Sequence, residues 1–203
     1  MVNLNQTGSM FIFSAPSGGG KSTIIKKVLE KLDNIELSVS ATTREKREGE
    51  ENGKDYYFIS KENFDELINQ NAFYEFVDSD FGPKYGTPRA PVDDILKQGK
   101  DVILDLDYPG VQQLRALAKD KVTAIFIMPP SIEELRRRLV ARGTDKPEVI
   151  EHRMSMAEKR IKESKFYDYI VLNDNLDVAV DDVCKIIREV RAKKESKKGV
   201  IGR

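Results

Sequence analysis

Short, nearly continuous apolar runs alternate along this chain with longer segments whose apolar residues recur at helical spacing. The runs are Met10-Phe11-Ile12-Phe13-Ser14, Asp101-Val102-Ile103-Leu104-Asp105, Val122–Met128 and Tyr169-Ile170-Val171-Leu172-Asn173. Runs of this length with almost no polar interruption read as strands buried on both faces, as in a parallel sheet. Between them, apolar positions three and four apart predict helices over Ser22–Leu32, Gly110–Ala118, Ser131–Ala141 and Leu176–Arg191. Pro129-Pro130 breaks the chain before Ser131, a suitable N-cap, with Glu134 placed to complete a capping box. Strand–helix alternation of this kind implies right-handed crossovers and a doubly wound α/β core. Ligands of such a core are expected beyond the carboxyl ends of its strands.

Two regions break the rhythm. Residues 38–90 hold β-like pieces, Tyr56-Tyr57-Phe58-Ile59 and Phe73-Tyr74-Glu75-Phe76-Val77, between glycine- and charge-rich turns, together with most of the tyrosines. They read as an insertion with a small sheet of its own. Residues 142–165 form a second excursion, dense in charge and helical after Pro147, and the tail from Lys193 to Arg203 is expected to fray. The core is then expected over 8–37, 96–141 and 166–192, with the insertion over 38–95 and the second excursion over 142–165. No apolar stretch reaches the about 18–20 residues that span a bilayer, and the N-terminus lacks the pattern of a signal peptide. These features together predict a soluble, cytoplasmic protein.

Composition narrows the chemistry. Lysine plus arginine and aspartate plus glutamate number 34 each, so net charge makes no case for nucleic acid or membrane as a partner. Any positive site must be local. The single Cys184 excludes an intrachain disulfide and a multi-cysteine zinc site, and its spacing from Val180, Val183 and Ile187 places it on the apolar face of a helix. The single His152, between Glu151 and Arg153, reads as a solvated helix position and excludes a histidine metal cluster.

The sharpest local signal is Ala15-Pro16-Ser17-Gly18-Gly19-Gly20-Lys21-Ser22-Thr23, which follows the first strand and opens the first helix. Strand, glycine-rich turn and helix start form the context of a phosphate-binding P-loop. Consecutive glycines let the backbone close on an anion, and the turn and helix N-terminus present N–H groups to phosphate oxygens. Lys21 would reach the β- and γ-phosphates and the Ser22 hydroxyl would sit on Mg²⁺. Ala15 stands where glycine is usual. An ordinary glycine-rich turn is the alternative.

Downstream, Arg44 and Arg47 are three apart beside hydroxyl residues, a spacing suited to clamping a phosphate with guanidinium forks. On these residues alone, a solvated loop remains open. Taken in order, however, three strings resemble the guanylate kinase family. They are Ser14-Ala15-Pro16-Ser17-Gly18-x-Gly20-Lys21-Ser22, Ser38-Val39-Ser40-x-Thr42-Thr43-Arg44-x-x-Arg47-x-Gly49-Glu50-x-x-Gly53-x-Asp55-Tyr56, and Asp105-Leu106-Asp107-x-x-Gly110-Val111. Pro129-Pro130-Ser131, Arg142-Gly143-Thr144 and Asn173-Asp174 match as well, so the resemblance runs from about residue 10 to residue 190. In that family the first glycine of the loop is commonly alanine.

The resemblance implies a P-loop kinase fold, with a doubly wound parallel sheet core, a small mixed-β GMP-binding insertion and a helical lid. It implies ATP with Mg²⁺ as phosphoryl donor and GMP as acceptor, with dGMP as a further candidate. The residues matching Arg44, Arg47, Tyr56 and Tyr85 would hold the GMP phosphate. Ser40, Glu75, Thr87 and Asp107 would contact the guanine. Lys21, Arg142 and Arg153 would act on the transferring phosphate, and Asn173 would lie near the adenine of ATP. Asp105, at a strand end, would support Mg²⁺ directly or through water, with a simple strand-end cap as the alternative. Chemistry agrees with the guanine readers. Guanine offers N1–H and N2–H₂ donors, and an ionised carboxylate only accepts. Adenine would leave such a buried carboxylate unpaired, at a cost of about 1–3 kcal/mol.

The chain departs from the family pattern at Lys46, where proline is usual, and at Tyr108-Pro109, where glutamine is common at the second position. It departs again over Phe81-Gly82-Pro83-Lys84-Tyr85-Gly86, which lengthens the Glu75–Tyr85 spacing by one residue. Two other readings are open: a non-catalytic guanylate-kinase-like module that binds proteins, and a related P-loop kinase acting on another phosphorylated small molecule. The intact Gly20-Lys21-Ser22 and the lid arginines disfavour the first, and the guanine readers disfavour the second.

Overall fold

The computed structural model describes residues 8–78, 82–118, 121–143 and 146–201, with the side chains of Arg142 and of 197–201 outside the described set. In chain order the elements are β1 (Met10–Ser14), α1 (Lys21–Lys31), β2 (Ile35–Leu37), β3 (Ala41–Thr42), β4 (Tyr57–Phe58), α2 (Lys61–Asn69), β5 (Phe73–Asp78) and β6 (Lys84–Pro88). They continue with α3 (Arg89–Lys97), β7 (Asp101–Asp105), α4 (Tyr108–Ala118), β8 (Val122–Met128), α5 (Ile132–Arg142), α6 (Pro147–Glu163), β9 (Tyr169–Leu172) and α7 (Leu176–Ile201). One sheet has the order β2-β7-β1-β8-β9, with β2–β7 and β8–β9 parallel. The other is mixed, in the order β4-β3-β6-β5. No described helix is long and apolar enough to cross a membrane.

The strands expected at 10–14, 101–105 and 122–128 form with those bounds. The fourth behaves differently from its composition. In β9 only Val171 is buried, while Ile170 and Leu172 are 52% and 53% exposed. The reason is position: β9 is the last strand of its sheet. A continuous apolar run does not by itself reveal whether a strand is central. At the other end of the sheet, β2 is too short at three residues to carry a periodicity.

The chain divides into two compact units, Met1–Ile12 with Asn34–Val122, and Phe13–Asp33 with Thr123–Arg203. In the first unit the small mixed sheet closes over its own core, where Phe64 of α2 stacks on Phe73 of β5 at 4.6 Å beside Ala41. Two helices went unanticipated there. Ser60 caps α2, its hydroxyl accepting from the Asn63 N–H at 3.2 Å. In α3, Val92, Ile95 and Leu96 are buried at helical spacing. Both are short and lie in charged sequence, which hides their stripes.

In the second unit, α1 and α7 pack together, and Val180, Val183, Cys184 and Ile187 are all 1% exposed or less. Cys184 is therefore a core residue, and burial pushes its thiol pKa up. Lys27–Asp177 and Lys31–Asp181 pair the two helices at 3.1 and 2.7 Å. The helix α7 runs through Ile201, in keeping with the helix-forming Ala192-Lys193-Lys194-Glu195. Helices α5 and α6 join through Leu135, Leu139, Ile150, Met154 and Ala157. Ser131 caps α5 as expected, accepting from the Glu134 N–H at 3.0 Å. The reciprocal half of the capping box is replaced. The Glu134 carboxylate takes Arg137 and Arg138 at 2.6–2.8 Å, which lower its pKa to about 2. His152 is exposed on α6.

Candidate active site

The loop from Ala15 to Gly20 links β1 to α1 and turns back on itself, the Gly19 N–H donating to Pro16 O at 2.9 Å. Gly18 and Gly20 lie in the left-handed region, with φ of 84° and 90°, which favours glycine. Ala15 has no positive φ, so its methyl is accommodated where glycine is usual. Gly20 occupies the N-cap of α1, which has no side-chain cap and no acidic residue in its first turn. The helix end carries partial positive charge, which favours an anion. Lys21 is half-buried at this end, and the Ser22 and Thr23 side chains are exposed. Two distant residues reach the same loop. Arg153 of α6 donates to Ser17 Oγ at 2.8 Å, and the buried Asn173 donates through Nδ2 to Gly19 O at 2.8 Å. Arg142 closes α5, and its side chain lies outside the described residues.

In the first unit, the β5–β6 hairpin sets Glu75 opposite Thr87. The two are 4% and 1% exposed, and Thr87 Oγ1 donates to Glu75 Oε1 at 2.6 Å. Burial drives the Glu75 pKa up to about 7, the nearby Asp107 adds to the rise, and the Thr87 hydrogen bonds oppose it. This carboxyl meets both the hydroxyl and the backbone of Thr87. Its place depends on α4. A methyl on Gly110 would sit 2.7 Å from Glu75 Oε2, so the glycine makes room for the carboxylate. Gln113 of α4 fastens the same region, accepting from the Phe76 N–H at 3.2 Å and donating to Phe76 O at 2.8 Å. Asp107 is half-buried just before α4.

A second cluster follows β3. Arg44 binds Glu50 through two bonds of 2.7 and 3.0 Å, donates to Glu45 O at 2.8 Å and hydrogen-bonds Tyr85. Its guanidinium lies 5.5 Å from the Tyr56 ring centroid and 5.6 Å from that of Phe58. Tyr56 and Tyr85 meet edge to face at 5.9 Å. Glu50 also accepts from the Arg47 N–H at 2.8 Å, and the Arg44 bonds chiefly hold its pKa down at about 2. The Arg47 side chain is exposed, and Ser40 is half-buried with its carbonyl accepting from the Tyr57 N–H at 2.9 Å. Asp105 is exposed at the end of β7.

The structure therefore gathers Arg44, Tyr56 and Tyr85 in one cluster, and Glu75, Thr87 and Asp107 in another. The longer Glu75–Tyr85 spacing does not separate them. Pairing runs from Glu75↔Thr87 to Asp78↔Lys84, so the difference falls in the connection, of which 79–81 lies outside the described residues. Asn173 meets the glycine loop itself, its side-chain amide donating to the Gly19 carbonyl. Glu50, Gly110 and Gln113 are supporting residues that sequence reasoning did not single out. Glu50 and Gly110 stand inside the quoted strings, which was the available signal; Gln113 left none.

The chain matches the model of the guanylate kinase family over residues 7–190. It is similar to a guanylate kinase of Sphingopyxis alaskensis, 45% identical over 99% of this chain and 91% of that one. A guanylate kinase of Zymomonas mobilis is 44% identical, with 98% and 92% covered. The crystal structure of guanylate kinase from Anaplasma phagocytophilum superposes with a TM-score of 0.75 at 35% identity, covering 92% of this chain and 87% of that one. The glycine loop, the buried Glu75–Thr87 pair and matches spanning nearly the whole sequence lead to one conclusion: the chain belongs to the guanylate kinase family.

Proposed function

We propose that this protein transfers the γ-phosphoryl group of ATP to GMP, giving ADP and GDP, in the cytoplasm. The observation that carries the reading is the Glu75–Thr87 pair. A carboxylate 4% exposed beside a hydroxyl suits the adjacent N1–H and N2–H₂ donors of guanine, whereas adenine turns an acceptor N1 toward it. Asp107 reads the same edge, and Ser40 contacts the base. Arg44, Arg47, Tyr56 and Tyr85 hold the GMP phosphate, with residues 38–95 acting as the acceptor-binding insertion. The glycine loop, from Ala15 to Thr23, holds the triphosphate of ATP. Residues 142–165 act as a lid, bringing Arg142 and Arg153 onto the donor phosphates.

The attacking GMP oxygen is already anionic, so no side chain need remove a proton. Catalysis is positioning and charge stabilisation. Lys21 and the lid arginines spread positive charge over the phosphoryl group, and lid closure excludes water. The Ser22 hydroxyl, exposed in the first turn of α1, is a hard oxygen donor suited to Mg²⁺, which takes few protein ligands and keeps several waters. Asp105 would support it directly or through water. Bound with ATP, the ion would neutralise charge on the phosphates. The test is ADP release from ATP with GMP, dGMP, AMP, UMP or no acceptor. Activity with GMP and dGMP is expected, and release with AMP but not GMP would refute the acceptor.

A further inference from the structure

Asn173 follows β9 and is 4% exposed. Its backbone is pinned on both sides, the N–H donating to Met128 O at 2.7 Å and the carbonyl accepting from Arg138 Nη2 at 3.3 Å. From that anchored position its side-chain Nδ2 donates to Gly19 O at 2.8 Å. The loop is fitted closely to it, because a methyl on Gly20 would fall 2.3 Å from the same nitrogen.

An anion cradle needs its N–H groups turned toward the phosphates and its carbonyls turned away. The peptide between Gly19 and Gly20 carries both groups, which point in opposite directions across a trans, planar unit. Glycine lies on both sides of this peptide, so side-chain sterics do little to stop it rotating, and a rotated carbonyl would repel the anion. Holding Gly19 O therefore fixes the direction of the Gly20 N–H. We propose that Asn173 is a positioning residue that locks this peptide for the donor triphosphate, rather than a reader of the adenine. The inference rests on the reading that ATP binds at the glycine loop.

The test compares binding of Mg²⁺-ATP and of Mg²⁺-tripolyphosphate, which has no base, by calorimetry on the full chain. The variants are N173A and N173L; the second keeps the buried volume while removing the donor. Loss of a buried hydrogen bond that orients a charged contact is expected to weaken both ligands alike, by about tenfold. GMP binding, served by residues of the other unit, should stay unchanged and reports that the variant is folded. Weakening of ATP with tripolyphosphate unaffected in N173L would mean a base contact and overturn the inference. Unchanged binding of both ligands would overturn it as well. Wild-type protein that binds neither ligand would overturn the donor-site reading itself, and this inference with it.

Discussion

The glycine loop and the Glu75–Thr87 pair are built by opposite means. The loop is built of backbone: a turn between β1 and α1 and a helix start without a side-chain cap. The pair is built of side chains buried by a second sheet, where β5 and β6 place Glu75 on Thr87 and α4 leaves space at Gly110. Backbone recognition is compact in sequence because one short segment supplies every group. Side-chain recognition of a base needs burial to give it strength, and burial takes several elements. It also has a cost, visible as a Glu75 pKa pushed up to about 7. An ionised carboxylate in that place destabilises the folded protein until a donor-rich ligand meets it.

This contrast can be broken most forcefully at Lys21. Lys21→Met should lower kcat by about 10³-fold while leaving GMP affinity within about twofold, as its proposed role at the transferring phosphate requires. Steady-state turnover beside GMP calorimetry decides it, and equal turnover in mutant and wild type would sink the donor-site mechanism.

Glu75→Gln comes next, with kcat/KM for GMP falling about 10²-fold or more as an acceptor becomes an amide. The pH dependence has a definite sign. With the folded pKa near 7 and the ordinary value at 4.5, the folded state holds the extra proton between those pH values. Stability therefore falls as pH rises from 4.5 to 7 and is level above, by up to about 3 kcal/mol. The glutamine variant should melt up to roughly 6–12 °C above wild type at pH 8 and close to it at pH 4.5. In wild type, KM for GMP should rise as pH drops below 7. A melting difference that does not change with pH would refute the raised carboxyl.

Smaller effects probe the supports. Glu50→Ala should raise KM for GMP about tenfold with kcat little changed, because Arg44 loses its two-point partner. A KM that falls instead would mean that the carboxylate competes with the GMP phosphate for Arg44. Gly110→Ala should raise KM for GMP about fivefold by pushing the Glu75 carboxylate aside, with ATP binding untouched. Unaltered GMP kinetics would show that Glu75 has room to move.

What the sequence determined by itself was local. The runs at 10–14, 101–105 and 122–128 are strands because their apolar character is continuous, and the loop from Ala15 to Ser22 is legible because its groups are consecutive. The Ser131 cap and the buried Cys184 follow from spacings within a few turns of helix. Tertiary structure decided the rest. It exposed Ile170 and Leu172 by setting β9 at the edge, and it paired Glu75 with Thr87 through hairpin register despite the lengthened connection. It also spent Asn173 on a loop 154 residues away. Periodicity and capping act within about a dozen residues, whereas edges, register and distant hydrogen bonds depend on which neighbours the folded chain supplies.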